Sequence, residues 1–205
     1  MTGASTMVSS FRIVLAGALI SLLLGACSSS PPSRFYTLSA IEPGATASGG
    51  SQALIGLGPL RMPEYLNRSQ IVTRGNNAAM MIDEFIRWSE PLALALPRIL
   101  AANIDNLLPD KGVVVFPYEP FIRDQLDYRL VGDINRFDAD RQGRVVLDVQ
   151  WAVSDRGGKL AVAVRRSRYE AQAEPAGDTD AMIVAMNRTL ADFSRDIAAN
   201  LRSLP

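Results

Sequence analysis

The chain has 205 residues, with 21 basic side chains against 21 acidic ones, no histidine and one cysteine. Balanced charge argues against a nucleic-acid partner, which calls for a basic face. The missing histidine removes the commonest general base and the commonest metal ligand together. A single cysteine rules out an intramolecular disulfide framework.

Ile13 to Leu24 is a run of apolar, small or Ser residues with Arg12 before it. Twelve residues are too few to cross a hydrocarbon core, which takes roughly 20, but they suit a signal-peptide core of about 7–15. The run leads into Leu24-Gly25-Ala26-Cys27, which has the offsets of a bacterial lipobox. The expectation is a lipoprotein signal peptide over 1–26, starting at Met1 or Met7, and a diacylglycerol on the Cys27 thiol. An ordinary secretory signal cut near the same place is the alternative. Residues 27–33 then form a Ser/Pro tether, and Ser28, in place of an Asp, points to the outer membrane. Seven residues from Cys27 to Arg34 span at most about 25 Å, so the domain over 34–205 is expected to sit near the leaflet that holds it.

Arg34 to Ser39 reads as a first strand, and Glu42 to Gln52 as a Gly/Pro-rich loop. A second strand covers Ala53 to Met62, where Gly56 and Gly58 imply a bulge or a close backbone approach and Pro59 marks an edge or an end of pairing. After a turn at Met62 to Arg68, Gln70 to Arg74 is a strand, Gly75-Asn76-Asn77 a turn, and Ala78 to Phe85 the second arm of a hairpin. Ser89-Glu90-Pro91 has the residues of a helix start, with Ser89 as cap. Leu92, Leu96, Ile99, Leu100, Ile104, Leu107 and Leu108 then give one apolar face that Pro97 should kink or delay.

Val113 to Tyr118 is apolar enough for the middle of a sheet. Beyond it, Leu126, Tyr128, Leu130 and Ile134 alternate with polar residues, as do Val145, Leu147, Val149, Trp151 and Val153, and a third strand runs from Leu160 to about Ala171. This is an antiparallel meander with one buried face. Its last strand carries Arg165, Arg166 and Arg168, either a basic surface for anionic partners or an edge charged against strand addition. From Thr179, Met182, Met186, Leu190, Phe193, Ile197, Leu201 and Leu204 form a stripe that suits docking on the sheet or a coiled-coil seam. The fold class expected is α/β: a single domain with a mixed, largely antiparallel sheet and two main helices packed on it.

No G-x-S-x-G, Ser-x-x-Lys or metal-ligand cluster occurs, so no catalytic residue, metal or cofactor is expected. Adjacent acids such as Asp83 and Glu84 should point to opposite faces of a strand. The order of lipobox, FYTL, IGLGPL, MPEYLNRSQIVTR, RWSEPL, DYRL, VVLDVQW and the AMIVAMNRTLADFSRDIAANL helix resembles the PqiC/YmbA-type ABC-transport auxiliary lipoproteins. The most specific pieces are Pro63, Tyr65 and Leu66 with Gln70-Ile71-Val72, and Arg87-Trp88 with Pro91-Leu92. Asn67, Ser69 and Pro97 depart from the pattern. The resemblance implies a non-enzymatic accessory part of an intermembrane lipid-transport system on the periplasmic face of the outer membrane. Its implied partners are a periplasmic MCE-domain protein and an inner-membrane permease, and ring-forming MCE partners make a homo-oligomer conceivable. The exposed side of Pro63 to Arg74, with Glu64, Tyr65, Arg68 and Arg74, is the expected contact surface; the alternative is that Tyr65 and Leu66 plug the core. A carrier that encloses lipid in its own cavity is the rival reading, and it calls for a deep apolar chamber.

Overall fold

The computed structural model describes residues 31–43 and 53–204. The signal peptide, Cys27 and most of the Glu42 to Gln52 loop lie outside the described residues. The described residues from Ser33 onward form one compact unit. Its strands are β1 Arg34–Tyr36, β2 Ala53–Arg61, β3 Gln70–Arg74, β4 Met80–Trp88, β5 Lys111–Val115, β6 Tyr128–Asp140, β7 Arg144–Asp155 and β8 Leu160–Gln172. Its α-helices are α1 Leu92–Leu107, the single turn α2 Pro120–Arg123 and α3 Thr179–Arg202. The sheet is mixed and the two long helices pack on it, as the sequence led one to expect.

Strand β6 is the spine. One edge carries β7 and then β8, both antiparallel. The other edge is shared: β2 pairs in parallel with its first half, Ile55 opposite Tyr128, and β3 with its end, Thr73 opposite Ala139. Beyond β2 lies β5, and beyond β3 lie β4 and β1, giving the order β1-β4-β3-β6-β2-β5. The pairs β1–β4, β2–β5, β2–β6 and β3–β6 are parallel, so the antiparallel meander is only one half of the sheet.

Helices α1 and α3 cover one face, where Leu57, Leu96, Ile104, Leu130, Trp151 and Phe193 are shielded from solvent. Phe193 lies 5.9 Å from the Trp151 ring and 5.6 Å from the Tyr169 ring, centroid to centroid. The apolar stripe of α3 docks on the sheet, and Asp178 caps the helix by accepting the Ala181 N–H at 2.7 Å.

Several local expectations change. Strand β5 is not central: it pairs with β2 alone, and its last four residues are only partly buried. Serine 89 does not cap α1; Pro91 holds the N-cap position with no side-chain bond, and the helix runs through Pro97 without a break. The expected first strand stops at Tyr36, because helix asparagines take over its backbone. The Asn187 amide oxygen accepts the Ser39 N–H, that of Asn103 accepts the Ile41 N–H, and Asn106 donates to the Ile41 carbonyl. The hairpin turn holds Asn77 at φ 55°, a conformation asparagine tolerates. Its second arm begins at Met80 rather than Ala78 and continues to Trp88, with a large register shift opposite Gln70–Val72. In β2, Gly58 has φ +108° at a register shift, where no residue with a side chain sits comfortably. Pairing with β5 ends at Leu57, just before Pro59. A β-carbon on Gly56 would lie 2.6 Å from Leu126 Cδ1, so the close approach read from the sequence is present.

Candidate functional site

The segment from Pro63 to Arg74 joins the two strands that share one edge of β6. It opens with a single turn of 3-10 helix, Glu64–Leu66, and continues into β3. The sequence offered two roles for it, core plug or contact surface, and the structure divides the residues between them. Leu66, Ile71 and Val72 are buried. Glu64 and Arg68 are exposed, with the Asn67 amide 3.5 Å from Glu64.

Tyr65 and Arg74 turn inward. Their common partner is Asp138 of β6, whose side chain is fully buried. The Tyr65 hydroxyl donates to Asp138 Oδ2 at 2.9 Å, Arg74 Nη2 donates to the same oxygen at 2.9 Å, and Arg136 Nε donates to Oδ1 at 2.7 Å. Burial, reinforced by the adjacent carboxylate, pushes the Tyr65 hydroxyl up to about 12. The hydrogen bond to Asp138 holds the Arg74 guanidinium above its usual range. Tyr65 is therefore a neutral donor at any physiological pH, and the carboxylate serves three donors at once. Two of the four residues expected at a contact surface, Tyr65 and Arg74, thus form an internal latch. The other two, Glu64 and Arg68, are what the latch displays.

Asp138 and Arg136 were not singled out by the sequence. A register shift between Ile134 and Arg136 reverses which parity of β6 faces the helices. It sends Phe137 into the core and leaves Arg136 and Asp138 on the other face, where Val146, the register partner of Asp138, is also fully buried. Nothing in the local pattern distinguishes a buried outer-face carboxylate from a solvated one.

The markers Trp88 and Leu92 are structural. Trp88 is buried and its N–H donates to the Ser69 carbonyl at 2.7 Å, while the Ser89 N–H donates to Tyr36. The arginines of β8 are engaged within the fold. Arg166 pairs with Asp148 at 2.8 Å, Arg168 with Glu170 at 2.6 Å, and Arg165 donates to Asn200 and lies over the Trp151 ring. This favours the charged-edge reading of β8, which pairs with β7 alone. Asp83 and Glu84 also have separate partners: Asp83 accepts the Phe85 N–H, and Glu84 meets Gln70 and Arg87. Among the described residues no cluster of three metal-ligating side chains forms, and no helix is long and apolar enough to cross a membrane.

Two curated relatives, the intermembrane transport lipoprotein PqiC of Escherichia coli (strain K12) and that of Shigella flexneri, are each 24% identical over 190 residues, covering 91% of this chain and 96% of theirs. Two solved structures share the fold. A crystal structure of an uncharacterized protein superposes with a TM-score of 0.69 at 22% identity, covering 83% of this chain and 99% of that one. A Xanthomonas campestris protein does so with a TM-score of 0.62 at 16% identity, covering 80% and 92%. The family model of the ABC-type transport auxiliary lipoprotein component matches residues 36–198, from the end of the first strand to near the end of α3, and the chain belongs to that family.

Proposed function

We propose that this protein is an outer-membrane-anchored, non-catalytic docking component of an MCE/ABC-type intermembrane lipid-transport system. On this reading Cys27 carries the anchor after residues 1–26 are removed, and residues 27–33 tether the domain of 34–205 to the periplasmic face. The family and the printed name of the PqiC relatives support the transport role. The observation that carries the docking role is the Asp138 latch. It fixes the Glu64–Leu66 turn to the spine of the sheet, so Glu64 and Arg68 are displayed from a held backbone. Preorganised display lowers the ordering cost of association. The expected receiver is a periplasmic MCE-domain protein that works with an inner-membrane permease. The enclosed-carrier alternative fits less well, because the space between sheet and helices is filled by side chains such as Leu57, Leu100, Leu130 and Phe193.

The test is co-purification from native membranes after cross-linking. Exchanging the charges of Glu64 and Arg68 should strip the MCE partner from the protein while leaving it folded and membrane-bound. Undiminished partner recovery and transport would reject the docking surface. Separately, Cys27→Ser should abolish acyl labelling and release the protein from membranes; a variant that stays bound would reject the anchor.

A further inference from the structure

The face of the sheet turned away from α1 and α3 carries a shallow groove of about 310 Å³ between Pro59, Val131, Ala152 and Val164. Val131 and Val164 are 40% and 57% exposed. Arg129 lies two residues before Val131 on the same face, about 7 Å along the strand, opposite Gly56 of β2 and Ser154 of β7. Its Nε is shielded from solvent without a hydrogen-bond partner. No ion pair among the described residues includes it. The carboxylates nearest it in sequence are engaged elsewhere: Asp127 holds Arg156 and the Leu54 N–H, and Asp133 holds Arg61. The tip of Tyr118 stands over Gly56, where a β-carbon would lie 2.9 Å from it, but its hydroxyl donates to the Gly58 carbonyl. We infer that Arg129 and this groove dock an extended segment of a protein partner. An acidic residue of that segment faces Arg129, and a bulky apolar side chain two positions along it enters the groove.

Three observations select that occupant. First, Arg129 is a half-buried cation with an unmet donor, and a carboxylate completes it through charge-assisted hydrogen bonds. Other arginines on this face are already neutralised: Arg61 by Asp133, Arg136 by Asp138, Arg166 by Asp148 and Arg168 by Glu170. Attraction to an anionic membrane takes a cluster of roughly 4–8 basic residues, so this single free cation suits one carboxylate. Second, residues two apart in an extended segment point the same way about 7 Å apart, which matches the step from Arg129 to Val131. Third, the groove stands at the small end of the roughly 300–1,000 Å³ of binding pockets and has room for one side chain. The surface is separate from Glu64 and Arg68, and either can fail alone.

The experiment places benzoylphenylalanine, a photoreactive residue, at Val131 or at Val164 of the full-length protein in native membranes. The same residue at Glu64 reports on the other surface. After illumination, adducts are mapped to the peptide by mass spectrometry. The adduct is expected on a protein segment with Asp or Glu two residues from a bulky apolar side chain. Its yield should fall about tenfold or more in Arg129→Glu and in Arg129→Gln, and Arg129→Lys should keep part of it. Replacing the partner's acidic residue by Arg should restore the yield in Arg129→Glu and abolish it in the parent. Thermal unfolding of each variant checks the fold, and where Arg129→Glu unfolds, Arg129→Gln and Arg129→Lys decide. Adducts on lipid alone, on a second copy of this chain or on a segment without an acid would overturn the inference. So would no adduct at either position, or a yield that Arg129 does not govern. If adducts at Glu64 form while those at Val131 and Val164 do not, this groove is refuted and the Glu64 and Arg68 surface stands.

Discussion

The Asp138 latch gives a prediction whose size can be worked from the geometry. In Asp138→Asn the side chain is neutral and keeps one acceptor oxygen for three donors, so both guanidiniums lose their charged partner and at least one donor loses its hydrogen bond. Removing one member of a fully buried ion pair costs about 3–5 kcal/mol. Arg74 and Arg136 retain 29% and 19% of their side-chain surface and can recruit water in compensation. A cost of about 2–3 kcal/mol is therefore expected. For a domain of this size each kcal/mol moves Tm by roughly 2–4 °C, so the midpoint should fall by about 4–12 °C. Tyr65→Phe removes one hydrogen bond to the charged acceptor and should cost about 1.5–2 kcal/mol. Because both changes act on one network, their sum should exceed the cost of the double variant by about 1 kcal/mol. Urea unfolding followed by tryptophan fluorescence measures all three. If Asp138→Asn costs less than about 0.5 kcal/mol, or the two changes add without coupling, the carboxylate does not hold the Glu64–Leu66 turn and the preorganised display is wrong.

Other expectations are simpler. Exchanging the charges at Glu64 and Arg68 should change stability by less than about 0.5 kcal/mol, since both are exposed, while partner recovery collapses. Phe193→Ala should cost about 3–5 kcal/mol by opening a cavity between Trp151 and Tyr169, read by the same unfolding assay. Gly56→Ala should destabilise by about 1–3 kcal/mol through overpacking against Leu126 and Tyr118. The hydrogen bonds from Arg166 hold the Asp148 carboxyl below its usual range. Its contribution is therefore present above the unfolded-state value of about 3.9 and lost as pH falls through the lower folded value. Asp148→Asn should be less stable than the parent at pH 7 and converge with it at strongly acid pH; a gap that persists in acid would contradict the pairing.

What the sequence revealed depended on whether the signal was periodic. The α3 stripe is legible because every fourth or third residue must face the sheet, and Met182, Met186, Leu190, Phe193, Ile197 and Leu201 are buried. The β6–β8 meander is legible because alternation and short turns fix antiparallel neighbours. The place of β5 was not: the apolar run read as a strand, Val113 to Tyr118, looks alike at the centre and at an edge under partial cover, and the strand observed is shifted to Lys111–Val115. Nor was the insertion of β2 between β5 and β6, since parallel neighbours are joined by long connections whose path leaves no mark on composition. The candidate surface was half legible. The segment could be found from its markers, but which of its side chains turned inward was set by Asp138, more than sixty residues away and ordinary in its local pattern.

The short β1 has a mechanical meaning. A pull applied to the chain at Ser33 reaches the domain through Arg34, which bonds Asp180 on the helix layer while its own strand pairs with β4. Load is thus divided at its point of entry between α3 and the sheet. The sheet branch runs from β1 through β4 to β3, the strand that follows the Glu64–Leu66 turn, without crossing the core between sheet and helices. On the anchored reading, a protein held by its tether at one end and by a partner at that turn would carry tension along three neighbouring strands, and its packed interior would be spared.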